Sequence, residues 1–239
     1  MSARAWVAAL VLAAFAPVLA IAAVAPTPAH GPQGGGLHYL ALGDSYTIGE
    51  SVAEDARWPV QLAAALRKDS VDVGEPEIVA RTGWTTGELA AAIHGRKLRE
   101  RYDLVSLLIG VNNQYRGLSL DAYRPEFRAL LAGAIARAGG HANRVIVVSI
   151  PDWGVTPYAE GRDRAAIGRE IDAFNAAAHG ETVHAGAHWI DITDISRDAV
   201  KDASLIAPDG LHPSEVMYRL WVGRIAPVAR AALAAAPGR

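Results

Sequence analysis

The chain contains no cysteine among its 239 residues. That excludes disulfides, thiolate metal centres, iron–sulfur clusters, a cysteine nucleophile and a lipid anchor on a lipobox cysteine. An excess of either charge is missing too: 23 Lys and Arg stand against 25 Asp and Glu, a formal charge of −2. With no basic surplus and no block of like charge, the electrostatic footprint of a nucleic-acid binder is absent. Charged residues make up 20% and hydrophobic residues 51%, which leaves little room for extensive disorder. A core of about 200 residues is stable without disulfides, so an oxidising compartment stays open to the chain.

One long apolar run is present, at the start. Residues 5–29 carry no charge, residues 5–25 are almost wholly apolar, and Arg4 is the basic side chain ahead of them. Ala20-Ile21-Ala22 and Ala23-Val24-Ala25 each fit the small-residue pattern of a signal-peptidase site. Residues 1–25 are therefore expected to be a cleaved signal peptide. The second choice is an uncleaved membrane anchor through residues 5–25, a reading that Pro17 and the many alanines weaken. Either way the remainder is expected to be exported, to a periplasm or the exterior. Residues 26–36, PTPAHGPQGGG, read as a Pro/Gly-rich linker. Their glycines lack both the spacing and the preceding strand of a dinucleotide loop.

From residue 37 to 239 short apolar runs alternate with longer amphipathic ones. Segments 38–43, 77–81, 103–110, 143–150 and 188–192 read as strands, leucine-rich or β-branched and bounded by Gly, Pro, Asp or Asn. Helical stretches are expected near 58–68, 86–99, 120–138, 161–180 and 213–234. Pro59 suits a first helical turn, and Thr85 with Glu88 has the spacing of a capping box. Five strands, each followed by a helix, imply one α/β domain: a three-layer α/β/α sandwich around a five-stranded parallel sheet. In such sheets ligands bind beyond the carboxyl ends of the strands.

The loops at that edge carry the chemistry. Gly43-Asp44-Ser45-Tyr46 ends the first strand and can present the Ser45 hydroxyl, with its own N–H as an oxyanion donor. In isolation the same residues describe an ordinary turn and helix cap. Gly83, in Arg81-Thr82-Gly83-Trp84, lets the backbone approach a substrate closely and can offer a second N–H. Asn112 and Asn113 after the third strand can donate to developing negative charge without titrating. Asp209-Gly210-Leu211-His212 puts a carboxylate beside an imidazole just before the last helix, so the Asp can accept from one ring nitrogen and leave the other as base.

Together and in this order, these blocks resemble the SGNH or GDSL-type serine hydrolases, named for Ser, Gly, Asn and His in four sequence blocks. The resemblance runs over roughly residues 37–232 and rests on GDSY, RTGWTT, GVNN and DGLHPS. It implies a flavodoxin-like fold with Ser45 as nucleophile, His212 as base and Asp209 as its orienting acid. It also implies an oxyanion hole of the Ser45 N–H, the Gly83 N–H and the Asn112 side chain. Two positions depart from the pattern: Tyr46 stands where leucine is usual, and Asn113 where aspartate is usual. The second is expected to loosen support of its loop.

The expected activity is that of an exported serine esterase on carboxylic esters of lipids, simple alcohols or acetylated carbohydrates, without metal or other cofactor. Tyr46, Trp84, Tyr115 and Trp153 lie in the edge loops and are candidates to line the substrate site. The absence of a large inserted lid suggests an open site of broad tolerance. His179, His184 and His188 lack the ordered acidic partner of a metal site, and Asp152, Asp191 and Asp194 read as loop anchors and caps. Two readings of other classes compete. One is a catalytically inactive relative that binds sugar or lipid. The other is a flavin- or phosphate-binding module with Ser45, Tyr46 and Thr47 on the phosphate, where Asp44 and Glu50 would repel it.

Overall fold

A computed structural model describes residues 36–235. The signal-peptide and anchor expectations, and all of the linker but Gly36, fall outside them. Five strands form one parallel sheet: β1 (Tyr39–Gly43), β2 (Glu77–Ala80), β3 (Leu104–Leu108), β4 (Val145–Val148) and β5 (His188–Ile190). Their spatial order is β2-β1-β3-β4-β5, the flavodoxin-like arrangement. β1, β3 and β4 are buried along their whole length, which is why they read as continuous apolar runs rather than alternating ones. The one hydroxyl within β3, on Ser106, is satisfied by Tyr39 Oη of β1 at 2.8 Å.

Among the described residues eight α-helices follow one another: α1 (Ser45–Ile48), α2 (Trp58–Lys68), α3 (Thr86–His94), α4 (Val111–Tyr115), α5 (Leu120–Arg137), α6 (Arg164–His184), α7 (Thr193–Arg197) and α8 (Glu215–Ala234). α2 packs with α8, and α5 packs with α3 and α6. α2 has the expected bounds. Its first turn tolerates Pro59, and Trp58, Leu62, Ala63 and Leu66 give it a buried stripe at helical spacing. α3 begins with the full capping box: Thr85 Oγ1 accepts from the Glu88 N–H, and the Glu88 carboxylate accepts from the Thr85 N–H at 2.8 Å. α6 starts at Arg164 rather than 161, because the Asp163 side chain caps it by accepting from Ala166 N–H at 2.9 Å. The short helices α1, α4 and α7 were not expected. Each is a single turn or little more, too short to carry a periodic signal.

The switch in strand order lies at β1, whose neighbours β2 and β3 are reached by connections leaving in opposite directions. The crevice this opens at the carboxyl ends of β1 and β3 is where α1 and α4 begin. Gly43 closes β1 there. A Cβ on it would stand 2.1 Å from Thr47 Oγ1 and 2.5 Å from the Leu108 carbonyl oxygen, so a side chain would force the two strands apart.

Candidate active site

Ser45 is the first residue of α1, and Asp44 caps that turn with its carboxylate accepting from Tyr46 N–H at 3.0 Å. A serine placed so has its own N–H outside the helical ladder, and neither Ser45 nor Gly83 donates a backbone hydrogen bond among the described residues. Gly83 has φ +85°, a left-handed conformation that side chains rarely adopt, which accounts for glycine there. Asn112 sits in the first turn of α4 and donates from Nδ2 to the Trp84 carbonyl oxygen at 3.0 Å. An amide nitrogen carries two hydrogens, so one donor remains for a ligand.

Opposite these, the Asp209 carboxylate receives four hydrogen bonds. His212 Nδ1 lies 2.5 Å from Oδ2, Ser51 Oγ donates to the same oxygen at 2.7 Å, and the Leu211 and His212 N–H groups donate to Oδ1 at 3.0 Å each. Partial burial acts to raise this carboxyl's pKa; the bonds from His212, Ser51 and the two backbone N–H groups outweigh it and hold Asp209 well below the usual carboxylate range. The imidazole is therefore fixed through Nδ1, with Nε2 as its remaining nitrogen. Tyr46, at the leucine position of the pattern, is 97% buried and packs its ring 5.5 Å from the imidazole.

One cavity of about 130 Å³ brings the set together: Ser45, Gly83, Asn112 and His212 all line it, with Tyr46, Tyr115 and Trp153. Three of the four candidate lining residues thus belong to it. Trp84 does not; its side chain packs against the hydrophobic core, and its contribution is the carbonyl that Asn112 holds. Thr82, Val111, Tyr158 and Leu211 complete the wall. Of these Tyr158 was legible in principle, since it lies in the same edge loop as Trp153; its hydroxyl pairs with that of Tyr115 at 2.9 Å.

The loop that carries Gly83 is held on three sides. Thr82 donates its hydroxyl to Glu50, Arg116 donates to the Gly83 carbonyl, and Asn112 takes the Trp84 carbonyl. Asn113 does not loosen this region. Its Oδ1 accepts from Thr86 N–H at 3.0 Å and its Nδ2 donates to Thr86 Oγ1 at 2.7 Å, while that hydroxyl donates onward to Glu126. Asp44 is fully buried, which pushes its carboxyl up to about 7 against the bond from Tyr46, and its Oδ2 has no partner.

The remaining polar candidates have structural work. Asp152 pairs with Arg197 at 2.9 Å, Asp194 pairs with Arg224, and Asp191 accepts from Ser149 Oγ and Thr193 N–H. His179 packs on Trp189, and His188 bonds the Asn143 carbonyl. Among the described residues no group of three or more His, Asp or Glu is placed to hold a metal, and no helix is long and apolar enough to cross a membrane.

A model of the GDSL-like lipase/acylhydrolase family matches residues 41–220. No curated protein sequence matches the chain. Solved structures do share its fold. TesA superposes with a TM-score of 0.64 at 17% identity, covering 82% of this chain and 99% of its own. The acetylxylan esterase Axe2 from Geobacillus stearothermophilus gives 0.63 at 18% identity, covering 85% and 97%. The psychrotrophic esterase EstA from Pseudoalteromonas sp., solved in a form inhibited by monoethylphosphonate, gives 0.59 at 17% identity, covering 82% and 97%.

Proposed function

Because the chain belongs to the GDSL-like lipase/acylhydrolase family and is accordingly a carboxylic ester hydrolase, we propose that it works as a serine esterase with Ser45 as nucleophile, His212 as general base and Asp209 as the residue that orients it. The observation that carries this reading is the single cavity lined by Ser45, Gly83, Asn112 and His212, with the Asp209 carboxylate on His212 Nδ1. His212 Nε2 takes the Ser45 proton as the hydroxyl attacks the ester carbonyl. The Ser45 and Gly83 N–H groups and the Asn112 amide receive the oxyanion, where loss of one donor typically costs about 10²–10³ in kcat. His212 then protonates the leaving alcohol, and water repeats the cycle on the acyl-enzyme. Family membership speaks against the flavin reading, and a phosphate beside Ser45 would also meet the buried Asp44 carboxyl.

The cavity volume supports a short acyl group. About 130 Å³ is close to the roughly 150 Å³ of an engineered apolar cavity that takes one benzene. An acetyl to butyryl chain fits within that space, whereas a palmitoyl chain would extend beyond it into solvent. On the alcohol side, Tyr115 and Tyr158 are more than 40% exposed and offer flat faces to simple or carbohydrate alcohols. The apolar segment 5–25 supports export, with cleavage near Ala22 or Ala25. Mass spectrometry of the chain recovered from its producing cell tests that cleavage.

The activity test is a series of aryl esters from acetyl to palmitoyl, run on wild type and Ser45→Ala side by side. Ser45-dependent hydrolysis that peaks at two to four acyl carbons is expected. Hydrolysis that survives in Ser45→Ala sinks the nucleophile assignment, and an optimum above eight carbons sinks the short-acyl reading.

A further inference from the structure

Two non-glycine residues have positive φ among the described residues, Ser51 at 65° and Ser70 at 63°. Ser70 has a local reason. It follows the end of α2, where Val71 N–H reaches back to the Leu66 carbonyl at 3.0 Å in the manner of a helix C-terminal motif. Ser51 sits in a turn that itself calls for positive φ, but not for serine. It occupies the third position of the turn Gly49–Val52, closed by Val52 N–H on the Gly49 carbonyl at 3.3 Å, where Gly or Asn is the usual residue. A serine there carries backbone strain, and strain of this kind persists where something else requires the side chain. The side chain is exposed, so water could satisfy its hydroxyl. It donates instead to Asp209 Oδ2 at 2.7 Å, across 158 positions of sequence, on the oxygen that also holds His212 Nδ1.

We infer that Ser51 is a positioning residue for the catalytic apparatus: its hydroxyl ties the Asp209 carboxylate to the segment that carries Ser45. This rests on the assignment of Ser45, His212 and Asp209 proposed above. Gly49 N–H and Glu50 N–H both bond the Ser45 carbonyl at 3.0 Å, so the turn that presents Ser51 is built directly on the nucleophile. Through Ser51 the nucleophile and the acid move as one unit, although they stand at opposite ends of the chain. The bond also draws charge from the oxygen that faces the imidazole.

Ser51→Gly separates this role from folding, because glycine takes the turn's φ without strain. The variant is expected to melt at or above the wild-type temperature. Its kcat on an aryl acetate should fall about tenfold at unchanged KM, since Ser51 does not line the cavity. Ser51→Asn tolerates the same backbone and carries an N–H donor, so it should recover part of kcat. A folded Ser51→Gly protein with wild-type kcat overturns the inference, as does a loss of kcat in Ser51→Gly that Ser51→Asn does not recover in any part. Ser45→Ala run in parallel keeps the two readings apart: turnover without Ser45 overturns the underlying assignment, whereas Ser45-dependent turnover indifferent to Ser51 overturns this inference alone.

Discussion

The guanidinium of Arg116 donates to the carbonyl oxygen of Gly83 while pairing with the Glu88 carboxylate at 3.3 Å. Glu88 is also the acid of the α3 capping box, so the helix start, the ion pair and the glycine loop share one side chain. The hydrogen bond from Thr85 N–H, ahead of that from Arg116, keeps the Glu88 carboxyl below its usual range. Gly83 has no side chain to fix its orientation, and at φ +85° its peptide depends on neighbours for it.

Arg116→Ala is therefore expected to lower kcat about tenfold, roughly 1.4 kcal/mol of transition-state stabilisation, with a smaller effect on KM. Its melting temperature should move little, because exposed ion pairs contribute only about 0–1 kcal/mol. Steady-state kinetics on one short aryl ester, with a thermal melt of the same sample, checks both. An unchanged kcat would mean that the Gly83 loop holds its shape without the guanidinium.

Asp44 makes the pH dependence of stability testable. Burial raises its carboxyl pKa from 3.8 to about 7, so the folded chain binds a proton there that the unfolded chain releases near pH 4. Between those values the folded state holds more protons, and the stability contributed by this group falls as pH rises from about 4 to about 7. Asp44→Asn keeps an oxygen for Tyr46 N–H and removes the titration. Relative to wild type its melting temperature should gain about 5 °C between pH 5 and pH 8. Parallel melting curves for the two proteins would refute this if they stayed a constant distance apart.

Asn113 is the donor in a relay from its own Nδ2 through Thr86 Oγ1 to Glu126. An aspartate at that position could still accept from Thr86 N–H, but it would meet the Thr86 oxygen with no hydrogen to give. Asn113→Asp is expected to cost about 1–3 kcal/mol, the range for leaving a buried polar group unsatisfied. Freeing the Thr86 hydroxyl from Glu126 should recover part of that, so Glu126→Ala in the Asn113→Asp background is the informative partner. Urea unfolding of the four proteins measures the coupling. Additive losses would show that the relay does not operate.

Signals confined to a few consecutive residues were legible in the chain as written. The five strands, the bounds of α2, and the box made by Thr85 and Glu88 all depend on burial periodicity or on contacts within one helical turn. The GDSY, GVNN and DGLHPS blocks likewise pointed to the family, since the Asp209–His212 pair is a contact between residues three apart. The relations across the site could not be read this way. Whether Trp84 or Tyr158 faces the cavity depends on which strands flank β1, and the β2-β1-β3-β4-β5 order decides that through pairings far apart in sequence. The exchange of an acid for Asn113 made sense only once Thr86 and Glu126 were seen beside it. Ser51 gave no sequence signal at all: a polar residue in a polar turn is unremarkable until the fold sets it 2.7 Å from a carboxylate 158 positions away. Local hydrogen bonding and hydrophobic period are properties of neighbouring residues, whereas convergence on a site is a property of how the sheet closes.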